Sequence, residues 1–205
     1  GTTGISIFYN HQLLFASNIR FGSENITSDI MQAFQLSFNE AERIKTLYGG
    51  LVVTNLDDNE LIELSFRDAN KEYYNYDRPF ISRAELISVI RPRCEEIIEE
   101  IQFSLDKTGL EQLSSKRIVF TGGGSQLPGL YELASEYFAS RIRIGRPMRV
   151  QGLPQALQGS QFSAIIGLAI EISNLQDEVW DFEIPTILEP GQRLKSAVNW
   201  LKENW

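Results

Sequence analysis

The chain has 205 residues, of which 42% are hydrophobic and 22% charged, and this is enough apolar material for a sizeable core. A formal net charge of −8 opposes the clustered basic side chains that bind nucleic-acid phosphates, so we expect no nucleic-acid partner. One cysteine, Cys94, and one histidine, His11, exclude an internal disulfide and a Cys/His zinc site. No stretch of sequence reaches the roughly 20 apolar residues that span a bilayer.

The first third of the chain alternates between strand and helix patterns. Alternating apolar residues predict a hairpin of two strands, at 4–9 and 12–20. The apolar spacing then becomes helical, and a capping pair at Ser37 predicts a second helix that ends after Leu47. An acidic turn precedes a predicted strand at 61–66.

A long amphipathic helix is predicted in the middle of the chain. Ser82 and Glu85 form a capping box, and apolar residues then recur at steps of three and four as far as Leu105. Pro92 lies inside this pattern, and a proline inside a helix removes one backbone hydrogen bond. We therefore expect one long helix with a bend near Pro92.

Three glycines separate a predicted strand from a predicted helix. The strand at 117–121 runs into Gly122, Gly123 and Gly124, and the next helix is expected to begin at Pro128. Glycine lets the backbone approach a ligand closely, and amides at the start of a helix can face a nucleotide. The triplet matches neither a Walker A sequence nor a dinucleotide fingerprint, so a tight turn without a ligand is an equal alternative.

The last third begins with a predicted strand at 142–150. An almost wholly apolar helix at 162–172, capped by Ser160, is expected to be buried. Acidic residues and prolines at 176–191 then predict a flexible acidic linker.

The tail, residues 192–205, has one apolar face and net positive side chains. Such a helix is typical of segments that lie on a membrane surface, where tryptophan favours the interface. The alternative is a terminal helix that docks on its own domain. The residues expected to contact the membrane are Leu194, Lys195, Val198, Trp200, Leu201, Lys202 and Trp205.

Several segments together resemble one protein family. Residues 118–130, which read IVFTGGGSQLPGL, resemble the adenosine motif of the actin, Hsp70 and sugar-kinase superfamily. The sequence RIGRP at 143–147 and the start of the long helix at 81–93 resemble the cell-division protein family FtsA. Residues 41–49, AERIKTLYG, are similar to the AExxK helix of FtsA and MreB. This resemblance extends from residue 1 to about residue 172.

The resemblance implies an α/β fold, namely an actin-like (RNase H-like) ATPase half with an inserted small α+β lobe and a C-terminal amphipathic helix. The nucleotide-binding core would comprise residues 1–24 and 81–175, and the inserted lobe residues 25–80. The acidic linker would join this body to the membrane-targeting helix at 192–205.

The resemblance also implies the residues of an ATP site, with Mg²⁺ in the intact protein. Gly1, Thr2 and Thr3 look like the end of a phosphate loop whose aspartate would lie upstream of this chain. Hydrolysis by this chain alone is therefore not expected, and no catalytic residue is assigned. An ordinary solvated helix face is the alternative for the acid and base of the AExxK helix. The other residues implied to bind ATP are Glu42, Lys45, Gly122, Gly123, Gly124 and Ser125.

FtsA-type proteins polymerise on the cytoplasmic face of the inner membrane at the division site. There they hold FtsZ by its C-terminal peptide and meet other divisome proteins. By resemblance we expect the same partners here, with Arg83, Arg91 and Arg93 pairing with acids of that peptide through exposed guanidinium groups. The alternatives within the superfamily are an ATP-dependent sugar kinase-like enzyme and a pilus-assembly actin homologue.

Overall fold

The structure is a computed structural model that describes residues 1–10, 12–54, 56–65, 79–109, 117–147 and 152–174. Five α-helices and six β-strands lie within these residues. The chain divides into two compact units, Gly1–Leu168 and Ala169–Trp205. All six strands and four of the helices lie in the first unit, and the described part of the second unit is the end of one helix.

The predicted hairpin is confirmed. Strand β1 (Thr3–Tyr9) pairs antiparallel with strand β2 (Gln12–Ile19), and the register shifts between Ile7 and Phe8. The base of the hairpin is buried at Ile5, so this end packs into the core while the other end is exposed. The predicted turn residue His11 lies outside the described residues.

Two helices follow the hairpin. Helix α1 (Ser23–Phe34) begins where the Gly22 amide donates to Asn25 Oδ1 at 2.9 Å. Helix α2 (Phe38–Tyr48) begins as predicted at Ser37, whose Oγ accepts from the Glu40 amide at 3.4 Å. The Glu40 carboxylate does not complete a capping box there, because it accepts from the Arg43 guanidinium and from the Ser65 amide.

Residue 66 of the strand predicted at 61–66 lies outside the described residues, and the strand ends before it. Strand β3 (Leu61–Glu63) pairs antiparallel with strand β4 (Phe80–Ser82) over three residues. Beyond this ladder the Ser65 amide donates to Glu40 Oε1 at 2.7 Å, so a side chain takes the backbone donor that a strand partner would need.

Helix α3 (Arg83–Asp106) is the predicted long helix. Its capping box is confirmed, because the Glu85 amide donates to Ser82 Oγ at 3.2 Å and Glu85 Oε2 accepts from the Ser82 amide at 2.8 Å. The helix continues through Pro92, which lies on its exposed side. The buried residues of its apolar stripe are Leu86, Ile87, Ile90, Cys94, Ile98 and Ile101.

The glycine triplet lies between two parallel strands. Strand β5 (Arg117–Phe120) pairs with strand β6 (Arg141–Ile144), and the connection contains helix α4 (Leu130–Tyr137). Two residues separate the end of β5 from a one-turn 3₁₀ helix, Gly123–Gln126. The longer helix α4 begins two residues after Pro128, later than predicted. The predicted strand at 142–150 is shorter, and its residues 148–150 lie outside the described part.

The prediction that the apolar helix at 162–172 is buried is wrong. Helix α5 (Ser163–Asn174) buries Ile166, but Ile165 and Leu168 are 64% and 63% exposed. In the second unit Ile172 is 67% exposed. An apolar sequence indicates only that a helix can bury a face against an apolar neighbour. Among the described elements, none covers the side of α5 that carries Ile165 and Leu168.

One buried cluster connects the hairpin base with helices α1 to α4 and strands β3 and β4. Ile5 belongs to the predicted core, Ile30 and Ile44 to the predicted inserted lobe, and all three lie in this cluster. The division into a core at 1–24 and 81–175 and a lobe at 25–80 stays a prediction.

Candidate functional site

The glycine turn is held by the segment that precedes α5. Gly122 has a φ of 91°, which lies in the left-handed region that favours glycine. Its amide donates to the Ser160 carbonyl at 3.0 Å, and Ser125 Oγ donates to the Gly122 carbonyl at 2.7 Å. A Cβ at Gly122 would meet no atom within 4 Å, so the space beside this backbone is open.

The start of α1 lies against the same turn. A Cβ at Gly124 would lie 3.3 Å from Ser23 Cβ, and a Cβ at Gly22 would lie 2.9 Å from the Thr2 amide nitrogen. Thr3 Oγ1 donates at 2.8 Å to the backbone carbonyl that precedes Gly22. The segment at the beginning of the chain and the glycine turn therefore both adjoin the first residues of α1.

Lys45 on α2 is bonded to the first turn of α1. Its Nζ donates to Glu42 Oε2 at 2.6 Å and to Thr27 Oγ1 at 2.7 Å. It also contacts Ser23 Oγ at 3.1 Å and the Ser23 carbonyl at 3.2 Å. The ammonium has three protons, so these contacts use its donor capacity, and the Lys45 side chain is 9% exposed.

Glu42 is the more accessible member of this pair, with a side chain that is 44% exposed. Burial alone would raise the pKa of the Glu42 carboxyl, but the hydrogen bonds from Lys45 and Thr27 and the charge of Lys45 lower it below its usual value. Glu42 is therefore ionised at neutral pH. Its Oε2 accepts from both neighbours, and no described residue donates to its Oε1.

A pocket of about 660 Å³ lies next to the turn. It is lined by residues at and after the turn, by Ile144 and Arg146 at and after the end of β6, and by residues that precede α5. Of the residues implied to bind ATP, Ser125 alone lines this pocket. The three glycines, Glu42 and Lys45 do not line this cavity. Within the described part of the chain, no group of three or more acidic, histidine or cysteine side chains could hold a metal ion, and Mg²⁺ stays a prediction tied to the nucleotide.

Comparison with known proteins decides the family. The family model described as cell division protein FtsA matches residues 1–167. The chain belongs to the FtsA family. The cell division protein FtsA of Rhizobium meliloti (strain 1021) is 32% identical over 209 residues, covering 100% of this chain and 46% of that protein. The FtsA of Escherichia coli (strain K12) is 27% identical over 216 residues, covering 100% of this chain and 49% of that protein. The chain thus spans about half the length of the curated relatives it matches.

Solved structures agree with the FtsA match in fold. MreB 5 of Spiroplasma citri bound to AMPPNP has a TM-score of 0.57 at 16% identity, covering 97% of this chain and 52% of that chain. A chain of the PilM-PilN type IV pilus biogenesis complex also has a TM-score of 0.57, at 21% identity, covering 83% of this chain and 42% of that chain. These likenesses show an actin-like fold. The family match favours FtsA over the sugar-kinase and pilus alternatives.

By resemblance to FtsA, three arginines are expected to bind the FtsZ peptide. In the structure all three contact carboxylates of this chain. Their side chains are 22%, 39% and 26% exposed in chain order, so the expected exposed guanidinium groups are partly buried. Peptide binding by these residues stays a prediction, and each has a role within the fold. The contacts pair Arg83 with Asp57, Arg91 with Glu95, and Arg93 with Asp29.

Sequence reasoning assigned none of three hydroxyl residues to the site, and it named Ser160 only as the cap of the apolar helix. Ser23 and Thr27 are one helical turn apart at the start of α1 and bond to Lys45, and Ser160 holds the glycine turn from a distant segment. The spacing of Ser23 and Thr27 after Gly22 is a signal that the sequence does contain. Ser160 has no such local signal, because only folding brings it to the turn.

The predicted acidic linker and the membrane-contacting residues at 192–205 lie outside the described residues. Among the described helices, none has the length and apolar character needed to cross a membrane.

Proposed function

We propose that this chain supplies half of an ATP site to an actin-like cell-division protein that polymerises at the cytoplasmic membrane and tethers FtsZ there. The observation that carries the nucleotide proposal is the meeting of the glycine turn with the start of α1 and the Lys45–Glu42 pair. These residues come from three distant parts of the sequence. The glycines, Glu42 and Lys45 are implied by the resemblance to FtsA, and Ser23 at the start of α1 bonds directly to Lys45.

The described residues fit a nucleotide at the turn. Backbone at Gly122 and Gly123 has open space beside it, since the nearest atom to a Cβ at Gly123 would be Gln161 Cβ at 3.8 Å. Amides beside a glycine turn can donate to a nucleotide without obstruction from a side chain. In the intact protein, Mg²⁺ bound with the phosphates would neutralise part of their charge.

Glu42 would orient the sugar of the nucleotide. No residue in the described part of the chain donates to its Oε1, which can accept a hydrogen bond from a ribose hydroxyl, while Lys45 and Thr27 fix the position of Oε2. Lys45 would then be a positioning residue, because its protons are already used within the protein. The related fold of MreB 5 has been solved bound to AMPPNP and to ADP, which supports an adenine nucleotide here.

Binding of a fluorescent ATP analogue to the 205-residue chain tests this proposal. Gly123→Ala places a methyl group where a ligand would approach, yet the structure has room for it at ordinary contact distance. We expect this variant to fold normally and to bind the analogue at least about tenfold more weakly, which corresponds to one lost close contact. Gly4→Ala is the matched control, because a Cβ there meets nothing within 4 Å.

Equal affinity in the two alanine variants would contradict the proposal, as would the absence of saturable binding to the unsubstituted chain. ATP hydrolysis is not expected from this chain by itself. The residues that would position the attacking water belong, by the FtsA resemblance, to the other half of the cleft.

The membrane proposal rests on the sequence of the tail. Flotation with anionic liposomes would compare the full chain with a version that ends at Pro190. We expect only the full chain to float, because the tail combines an apolar face with basic side chains. If both versions float equally, the tail is not the anchor.

FtsZ binding rests on the family match. Because Arg91 has the most exposed side chain of the three arginines, Arg91→Gln is the substitution that tests it with least damage to the fold. We expect weaker binding of the FtsZ C-terminal peptide in this variant than in Arg20→Gln. Unchanged affinity would remove Arg91 from the partner site.

A further inference from the structure

One side of the β5–β6 sheet carries three arginines. Side chains alternate along a strand, so Arg117 and Val119 share one side of β5, and Arg141 and Arg143 share the same side of β6. The parallel register sets Arg117 beside Arg141 and Val119 beside Arg143. All four side chains are exposed, and we call this surface the arginine face. The opposite side of the sheet packs against the core.

The arginine face has no acidic partner within the described residues. Arg117, Arg141 and Arg143 make no ion pair or hydrogen bond there through their side chains. Other arginines of this acidic chain do find carboxylates, as Arg43 does with Glu40. Like charges on directly neighbouring positions of two strands repel, so Arg117 and Arg141 together cost stability. An anion seated between them would remove this repulsion.

We propose that the arginine face binds an extended acidic segment of a partner protein. Residues two apart on a strand are separated by roughly 6.6 Å, the same spacing as alternate residues of an extended peptide. Carboxylates at alternate positions of such a peptide can therefore reach Arg141 and Arg143 in register. Neighbouring strands are about 4.8 Å apart, so Arg117 and Arg141 contact one carboxylate from two sides.

Protein is favoured over the other anionic partners by charge and shape. The formal net charge of −8 opposes long-range attraction to a nucleic acid. A short peptide is small enough to interact mainly with the arginines of this face. Val119, which is exposed beside them, adds an apolar contact. None of these four residues lies in the candidate nucleotide site, so this proposal is independent of ATP binding.

Fluorescence anisotropy with a labelled peptide tests the proposal on the 205-residue chain. The probe has glutamate at every second position and serine between, over about ten residues, matched to the strand spacing. We expect saturable binding that weakens as salt is added. Arg141→Gln and Arg143→Gln should each weaken binding about fivefold to tenfold, as expected for one charge-assisted contact. Arg20→Gln, an exposed arginine outside the face, should leave it unchanged.

Two further peptides and a liposome-binding measurement test whether the arginine face binds an extended acidic segment. A glutamine version should not bind, and a version with its glutamates in one block should bind more weakly than the alternating one. Equal affinity for the blocked and alternating peptides would overturn the proposal. Loss of phosphatidylserine liposome binding in Arg141→Gln, with unchanged peptide binding, would assign the face to a membrane instead.

The folded state of the variants is checked by urea unfolding. Removing one of two neighbouring like charges should leave the midpoint of Arg141→Gln equal to or above that of the unsubstituted chain. If the peptide does not bind at all, the arginines serve only to keep the edges of this small sheet from pairing with other strands, and the proposal is wrong.

Discussion

At the scale of single residues, the site depends on buried polar groups whose hydrogen bonds are complete. A charge removed from water is costly unless other groups bond to it. Lys45 meets this condition through Glu42, Thr27 and Ser23, and among the described side chains no buried polar atom is left without a partner. The AExxK pattern thus has a structural task as well as its proposed role at the nucleotide.

Lys45→Met tests that structural task. Removing the ammonium leaves the oxygen of the fully buried Thr27 hydroxyl without the donor that it accepts from, and it leaves Glu42 with the Thr27 hydroxyl but without its cation. We therefore expect a loss of about 2 to 4 kcal/mol in the free energy of unfolding. Glu42→Gln should cost about 1 kcal/mol or less, because that side chain is 44% exposed and screened by solvent. Urea unfolding measures both, and equal losses would contradict the assigned roles.

Glu40 makes the stability of the chain depend on pH. Burial would raise the pKa of its carboxyl, but the bonds from the Arg43 guanidinium and the Ser65 amide lower it below the ordinary value of 4.5. The Glu40 carboxyl is therefore protonated at a higher pH in the unfolded state than in the folded state. Stability from Glu40 is complete above 4.5 and is lost as the pH falls through and below that value.

Glu40→Gln should remove this part of the acid sensitivity. The free energy of unfolding is measured in urea between neutral pH and about pH 4 for the unsubstituted chain and the variant. We expect the difference between them to shrink toward acid. Glu63→Gln, on the exposed surface of β3, is the control, and a difference for Glu40→Gln that stays constant with pH would rule out the ionised pair as its cause.

At the scale of elements, α3 contains Pro92, and proline destabilises the interior of a helix. Pro92 lies on the exposed side, so the packing of α3 does not require a proline ring there. Proline has no backbone N–H, so the Ser88 carbonyl, four residues earlier in the helix, has no backbone donor from position 92. The capping box at Ser82 and the buried stripe hold the helix together in spite of this loss.

Pro92→Ala should therefore stabilise the chain. An interior proline costs a helix about 3 kcal/mol relative to alanine, and part of this cost is already relieved by local adjustment, so we expect a gain of about 1 to 2 kcal/mol. Thermal and urea unfolding measure the gain, with Glu100→Ala in the same helix as the control. A loss of stability would mean that the proline ring has a packing role.

Helix α5 shows that apolar composition and burial are different properties. Ile165 and Ile166 are neighbours of the same residue type, but they are 64% and 7% exposed. Ile165→Glu should change the free energy of unfolding by no more than about 0.5 kcal/mol, as is usual for surface sites. Ile166→Glu places a charge in an apolar environment and should cost more than about 3 kcal/mol. Comparable losses in the two variants would show that both sides of α5 are covered in solution.

At the scale of the whole molecule, one core connects the hairpin with four helices, and Cys94 lies within it. Burial, with a smaller contribution from the charge of Glu95, raises the pKa of the Cys94 thiol to about 12. The thiol is therefore both inaccessible and protonated at neutral pH, and it reports on opening of the core.

Labelling of Cys94 by a thiol reagent should therefore follow global unfolding. We expect the labelling rate to rise with urea in parallel with the unfolding transition seen by circular dichroism. Fast labelling in the absence of urea, while the circular dichroism signal is native, would show that α3 separates locally from the core.

The sequence by itself determined the local elements wherever one strong signal was present. The hairpin, the Ser37 and Ser82 helix starts and the strand before the glycine turn all follow from neighbouring residues, and these predictions are confirmed. The resemblance to FtsA extended this to the family and to an actin-like fold, which the comparisons confirm. The proposed roles in ATP, FtsZ and membrane binding stay predictions.

Only the tertiary structure decided what each side chain contacts. It placed Lys45 against the start of α1, Ser160 against the glycine turn, and internal carboxylates beside Arg83, Arg91 and Arg93. It also left Ile165 exposed and gathered three arginines on one side of a sheet. Local patterns fix which face of an element is apolar or charged, but the partner of that face comes from residues far along the chain, and only folding brings the two together.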